Sequence, residues 1–245
     1  MAGKKFLMIV LALVLSGGRL EAKTEVRIYA IIIKELLSEK GGPYAEMLHG
    51  FARSSQKFTL KIHFLPNLRA GSYFLKSKSC IAPGMFHGAF KRLLGKKKMP
   101  ELVSSLPLGV ATEHIVTRPS SAVIRKFDVL KNRPVVMIRG WENPGLGKEG
   151  AILVDDESQA VEILLARAPK RVDAALLWLP ASQKLIDAWQ LSYDRKTVIR
   201  KFEDRVECHD TPENREFIAE FNRYQVRLKE PQKLPARKKT IEGYP

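Results

Sequence analysis

DVLKNRPVVMIRGW, residues 128–141, is the stretch whose reading decides the fold. Pro134 introduces a continuous apolar run, Val135-Val136-Met137-Ile138, and a turn-rich stretch follows at Gly140-Trp141-Glu142-Asn143-Pro144-Gly145. A short apolar run bounded by turn residues reads as a buried strand. The segments beyond it continue an alternation. Ala151 to Val154 is another apolar run, and Asp156 can cap a helix from Ser158 to Ala168 that buries Ala160, Val161, Ile163, Leu164 and Leu165. Val172 to Trp178 reads as a strand and Ala181 to Trp189 as a helix.

The same alternation runs toward the N-terminus. Leu108 to Val116 reads as a strand, broken by Arg118-Pro119-Ser120-Ser121. Before it come a strand over Glu25 to Lys34, a helix over Pro43 to Arg53, a strand over Phe58 to Leu65, a short helix over Leu68 to Leu75, and a strand over Ser79 to Ala82 that ends at Pro83-Gly84. In the first helix Tyr44, Met47, Leu48, Phe51 and Ala52 fall on one face at helical spacing. Toward the C-terminus, Thr197 to Phe202 and Val206 to Cys208 are short strands. Pro212 to Leu228 is a long helix with the face Phe217, Ile218, Phe221, Tyr224 and Val226. Alternating strands and helices indicate an α/β fold with mostly parallel sheets. Breaks at Arg118 to Ser121 and at Glu203-Asp204 divide the chain into residues 1–22, a first lobe over 23–118, a second lobe over 119–204, and a return to the first lobe with a tail over 205–245.

Residues 1–22 have the order of a secretory signal: Lys4-Lys5, an apolar run from Phe6 to Leu15, then Ser16-Gly17-Gly18 and a small residue, Ala22, at the cut. The alternative, an uncleaved anchor, needs about 20 apolar residues. The net charge of +16 becomes +14 once three basic residues and one acidic residue leave with the signal. Such an excess favours anionic ligands or surfaces. Its densest patches are Lys96-Lys97-Lys98 and Arg237-Lys238-Lys239, and no aromatic-and-basic stripe of the nucleic-acid kind accompanies them. Cys80 and Cys208 are the two cysteines, either one disulfide or two buried thiols.

Motifs for chemistry are missing. The five histidines, His49, His63, His87, His114 and His209, form no zinc pair. Gly147-Lys148 lacks the glycine and hydroxyl residue of a phosphate loop, because Glu142 and Glu149 stand at those positions. Asp155-Asp156-Glu157 is explained by the positive end of the following helix rather than by a metal. No cofactor and no metal site are expected.

Three segments carry a family resemblance. Asp128 to Trp141 resembles an Asp-Leu-Lys-Gly-Lys stretch leading into a valine-rich strand that ends at a glycine. AVEILLARAPKRVDAALLWLP (160–180) resembles a helix followed by a Gly-Arg-Val-Asp-Ala turn and strand. FLPNLRAGSYFLKSKSCIAPG (64–84) resembles a first-lobe helix and strand opening with Pro-x-x-Arg-Ala. In order and spacing they resemble the periplasmic solute-binding proteins of family 3, the amino-acid type. The resemblance implies a two-lobed type II periplasmic-binding-protein fold, a monomer in the periplasm, and a small-molecule solute held in the crevice at the strand ends. An inner-membrane permease of an ABC transporter or a sensor would read the closed state. It also implies a Cys80–Cys208 disulfide, because the returning strand of the first lobe runs beside the strand holding Cys80.

The sequence departs from the family where an Asp usually holds the ligand's ammonium; Leu177-Trp178 stands there. No Thr-x-x-Arg follows the strand at Cys80, and the nearest arginine is Arg92. The expected solute is therefore anionic or aromatic. Arg139, with Gly140 behind it, is the candidate anion clamp; Trp141 and Trp178 are candidate aromatic walls, with ordinary core packing as the alternative. Arg69, His87 and Arg92 complete the candidate ligand-binding set. Two other functions stay open: an enzyme of dehydratase or lyase type on the same scaffold, with Glu142 as acid or base, and a basic interaction protein with a degenerate cleft.

Overall fold

The structure, a computed structural model, describes residues 22–84, 100–131, 133–143, 145–146, 150–166 and 172–229. The signal-peptide reading, His87, Arg92 and the basic patches at 96–98 and 237–239 lie outside the described residues. The first sheet runs β2-β1-β3-β11-β4, from β1 (Thr24–Ile31), β2 (Phe58–Leu65), β3 (Cys80–Ala82), β4 (Leu102–Ser104) and β11 (Glu207–His209). The second runs β10-β5-β8-β6-β7, from β5 (Gly109–Thr117), β6 (Val135–Ile138), β7 (Ala151–Val154), β8 (Ala174–Leu179) and β10 (Arg200–Asp204), with β9 (Ser192–Tyr193) paired to β5.

Both sheets are mixed, which refines the expectation of mostly parallel sheets. Parallel pairing is confined to β2-β1-β3 and β8-β6-β7. Strands β4, β5, β10 and β11 pair antiparallel. The reason is topological: these strands carry the chain out of the first lobe and back into it, so neighbours in the crossing run in opposite directions. The sequence boundary at 118/119 is corrected accordingly. β5 hydrogen-bonds to β8 and β10 in the second sheet, so the outward crossing lies at 105–108, ahead of β5. Arg118 to Ser121 ends β5 inside the second lobe, where Pro119 interrupts any further ladder.

Each lobe has its own core. In the first, α1 (Pro43–Ser54), α2 (Asn67–Leu75) and α5 (Pro212–Lys229) cover the sheet. Pro43 starts α1, and Gly42 before it sits at φ +115, where a β-carbon would lie 2.5 Å from the Leu36 carbonyl oxygen. Phe51 meets Phe217 and Phe221 edge-on, with ring centroids 5.6 and 5.3 Å apart. One expected face residue of α5 is wrong: Val226 is exposed and Gln225 is buried. The buried positions Asn214, Phe217, Ile218, Phe221 and Gln225 follow the 3.6-residue period, and Val226 falls about 100° off that stripe. Gln225 donates to the carbonyls of Leu106 and Pro107, each at 3.3 Å, and Asn222 Oδ1 accepts from Leu106 N at 2.7 Å. The C-terminal helix thus holds the outward crossing. In the second lobe, α3 (Glu157–Leu165) and α4 (Gln183–Ala188) cover one face of the sheet, with Val161, Leu164 and Ile186 buried on Val136 and Ala175. Leu130, Met137 and Leu176 pack on the other face.

Cys80 and Cys208 face each other across the β3–β11 ladder and are joined by a disulfide. The bond closes a loop of sequence separation 128 that encloses the second lobe. In the chain-entropy description such a loop is worth about 4–5 kcal/mol. The Cys80→Ala/Cys208→Ala double variant is expected to lose that amount in urea denaturation, and the unfolded, non-reduced parent is expected to titrate no free thiol. Two thiols per chain would refute the bond.

Candidate functional site

The strand-end loops of both lobes meet between the sheets. The first lobe supplies Ile31 and the residues after β1, Pro66-Asn67-Leu68 at the start of α2, and Pro83-Gly84 after β3. The second supplies Ile138-Arg139 and Trp141 after β6, Asp155-Asp156-Glu157 between β7 and α3, and Trp178-Leu179 at the end of β8. These are carboxyl ends of parallel strands, where open α/β sheets bind ligands. Two spaces result. An open groove of about 560 Å³ runs along Ile32, Lys34, Leu68 and Arg139. An inner cavity of about 20 Å³ lies against Trp178, Pro83, Ala111 and Asp204. Ile31, Asn67 and Trp141 line both and form the neck between them.

Of the seven expected residues, Arg139, Trp141 and Trp178 line these spaces and Gly140 lies between the first two. Arg139 lines the groove, half-exposed, and its Nε donates to Asp155 Oδ1 at 3.1 Å. Gly140 adopts φ +86, and a β-carbon on it would lie 2.5 Å from Asn67 Nδ2, so the two lobes touch there. Trp141 stands edge-on to Trp178 at 5.7 Å and 87°. Trp178 is fully buried, and Arg200 lies over its ring at 5.0 Å. Arg69 is exposed on α2 and does not line the groove; Asn67 and Leu68 take that place, because a helix turns successive side chains by about 100°.

The Trp141 loop is fixed from below. Glu113 accepts a forked pair from Arg200, 2.7 Å to Nε and 2.6 Å to Nη2, and a third bond from Asn143 Nδ2 at 3.0 Å. Arg200 Nη2 also donates to the Trp141 carbonyl at 2.9 Å, and Nη1 to the carbonyl of Glu142 at 3.4 Å. Glu35 of the first lobe pairs with Lys184 of the second.

Several site residues escaped the sequence reading. Asn67 has both amide atoms buried without a hydrogen-bond partner. Asp204 accepts from the Tyr44 hydroxyl at 2.8 Å, and burial pushes its carboxyl up to about 6. Glu207 packs on Gly84, has a buried unpartnered Oε2, and is pushed up to about 7 by burial against the opposing effect of Arg205. Burial likewise raises Glu157. Asp156 caps α3, accepting from Gln159 N at 2.9 Å, as the sequence indicated. The only sequence signal for Asp204 was its place at a chain crossing.

No family model matches the sequence, and no curated protein matches it. Solved structures do. Holo ArgBP from T. maritima superposes with a TM-score of 0.62 at 17% identity, covering 85% of this chain and 92% of that one. The GluR0 ligand-binding core in complex with L-glutamate gives 0.64 at 12% identity, with 84% and 93% covered. The substrate-binding protein of an amino acid ABC transporter gives 0.59 at 13%, again with 84% and 93% covered. The chain has the two-lobed type II periplasmic-binding-protein fold.

A raised carboxyl favours folding when protonated. The stability from Glu207 is therefore full below about pH 4.5 and is lost as pH rises through about 7. Compared with Glu207→Gln, the parent protein is expected to lose on the order of 3 kcal/mol between pH 4.5 and 8. Denaturant unfolding of both proteins at the two pH values measures it, and a constant difference would mean that water reaches the carboxylate.

Proposed function

We propose that this chain is an exported solute-binding protein that captures a small solute between its lobes and performs no reaction on it. One observation carries the reading: the groove of about 560 Å³ is built from the strand-end loops of both lobes, so a solute in it touches both. A solute that contacts both lobes favours the closed arrangement by its differential affinity for that arrangement. The N-terminal signal pattern supports delivery to the periplasm, where a permease or a sensor would read closure. Among the described residues no helix is long and apolar enough to cross a membrane.

The lining suggests the solute's character. Arg139 and Lys34, one from each lobe, suit a carboxylate or another small anion. Ile31, Ile32, Leu68 and Trp141 suit an apolar or aromatic body. Arg139 is half-exposed, so exchanging Asp155 for a ligand anion costs little. Asp155, Asp156 and Glu157 stand on the same rim, which makes the groove amphoteric rather than simply basic. The neighbours named above include an arginine-binding protein, a glutamate complex and an amino acid transporter's substrate-binding protein, and the groove is of a size for such solutes.

Thermal unfolding of the mature protein against amino acids, dicarboxylates and aromatic acids tests this. A ligand at 100 times its Kd stabilises by about 2.7 kcal/mol, a Tm rise of roughly 5–10 °C at this chain length. Arg139→Ala is expected to weaken an anionic ligand roughly 10- to 100-fold. A flat response across the panel would overturn the reading.

A further inference from the structure

We infer that the first lobe carries a second binding site, for a phosphate monoester with a planar ring, on the part of its sheet that α2 leaves uncovered. The site is independent of the solute-binding reading. Its groove, of about 310 Å³, is lined by Arg27, Tyr29, Lys61, His63, Leu65 and Tyr73. It shares no lining residue with the groove or the cavity between the lobes. Small-molecule sites begin at about 300 Å³. The groove follows from element lengths. β1 rises about 26 Å over its eight residues, whereas the nine residues of α2 rise about 14 Å. α2 starts beyond the carboxyl end of β2 and doubles back over the sheet, and near its end Tyr73 stacks on Tyr29. Arg27 and Lys61, nearer the start of their strands, stay exposed.

The register of the strands sets the chemistry. β1 and β2 run parallel, with Arg27 beside Lys61 and Tyr29 beside His63. Like charges side by side on neighbouring strands are unfavourable. A lysine on an outer strand guards against edge pairing, and β2 is the outer strand among the described residues. Arg27 lies on β1, an inner strand, and has no such role. An anion between the two cations removes their repulsion. A phosphate monoester carries a charge of about −1.5 to −2 at pH 7 and matches both cations, where a carboxylate matches one. Arg27 supplies a fork of donors and Lys61 a point charge. Glu25 is the competing acid. Its carboxylate lies 3.8 Å from Arg27 Nη2 with both side chains about half exposed, which makes a weak pair. The negative end of α2 is largely taken up: Ser77 Oγ donates to the Tyr73 carbonyl at 2.9 Å, and His209 Nε2 lies 2.9 Å from the Phe74 carbonyl. Beside the cations, the rings of Tyr73, Tyr29 and His63 form a row with centroids 5.6 and 5.7 Å apart and planes inclined by 25° and 35°. Tyr29 is buried and Tyr73 is 51% exposed, so the row is anchored at its centre and open at one end. A planar ring on the phosphate packs along it. The sequence shows no such basic and aromatic stripe, because these side chains come from two strands and a helix and meet only in the fold.

Calorimetric titration of the full mature chain tests the site, with phenyl phosphate and adenosine 5′-monophosphate as probes. Phenol, adenosine and inorganic phosphate are their matched parts. At least one ester is expected to bind roughly tenfold or more tighter than either of its parts. Arg27→Gln and Lys61→Gln should each weaken that ester roughly tenfold, and Tyr73→Ser should remove its advantage over inorganic phosphate. The three side chains are exposed, and a melting curve of each variant shows that it folds. Two controls should leave the affinity unchanged: Arg139→Ala in the groove between the lobes, and Lys196→Gln, an exposed charge of the second lobe. Esters that bind no tighter than inorganic phosphate would overturn the site. Equal losses in Lys61→Gln and Lys196→Gln would also overturn it, since net charge alone would then attract the ester. Loss in Arg139→Ala would overturn it by moving the ester between the lobes. Single-stranded DNA that binds roughly tenfold tighter than the mononucleotide would overturn the small-ligand class in favour of a polymer.

Discussion

The structure depends on one antiparallel ribbon. The chain passes between the two sheets at 105–108 and again at Arg205-Val206, and these passages hydrogen-bond to each other. Ser105 N donates to the Val206 carbonyl at 2.8 Å, Val206 N to Ser105 Oγ at 3.0 Å, and Leu108 N to the Asp204 carbonyl at 2.7 Å. The pairing continues into both sheets, as β5 with β10 and β4 with β11. Satisfied backbone groups make the ribbon a defined element rather than a loose linker, while its short length leaves hinge motion to a few dihedrals.

The first lobe holds the ribbon firmly. The disulfide ties β11 to β3, α5 binds the outward crossing through Asn222 and Gln225, and Tyr44 in α1 reaches Asp204. Tyr44 can do so because residue 109 is glycine: a β-carbon there would lie 2.2 Å from the tyrosine hydroxyl. The second lobe answers with the Glu113–Arg200 pair, which is buried on the carboxylate side and satisfied by Asn143 and backbone carbonyls. A buried ion pair is weak support for stability but strong support for geometry, since breaking it leaves a charge without a partner. Here the geometry it sets is that of the Trp141 loop, the neck between groove and cavity.

Where the two lobes meet, polar groups lie together that have no hydrogen-bond partner among the described residues. Asn67 lies against Gly140 with both amide atoms buried and unpaired, and Glu207 beside Gly84 has a buried, unpaired Oε2. Natural cores rarely leave buried polar atoms so. When such atoms cluster at the meeting of two lobes, the arrangement fits a site whose last partner is a solute.

The sequence by itself determined the order of strands and helices and the two-lobed α/β class. Those features are written in local pattern: apolar runs, turn residues, a proline or a cap at the right spacing. The resemblance of three segments added the Cys80–Cys208 pairing. What only the tertiary structure decided were the features set by residues far apart in the chain. The assignment of β5 to the second sheet rests on pairing with β8 and β10, 59 or more residues away. Gln225 rather than Val226 faces inward because the crossing it binds is more than 100 residues upstream. Asn67 and Asp204 enter the site, and Arg69 leaves it, through the angle of one helix and the course of one crossing. No local period encodes these, because burial and an unsatisfied hydrogen bond are properties of neighbours in space.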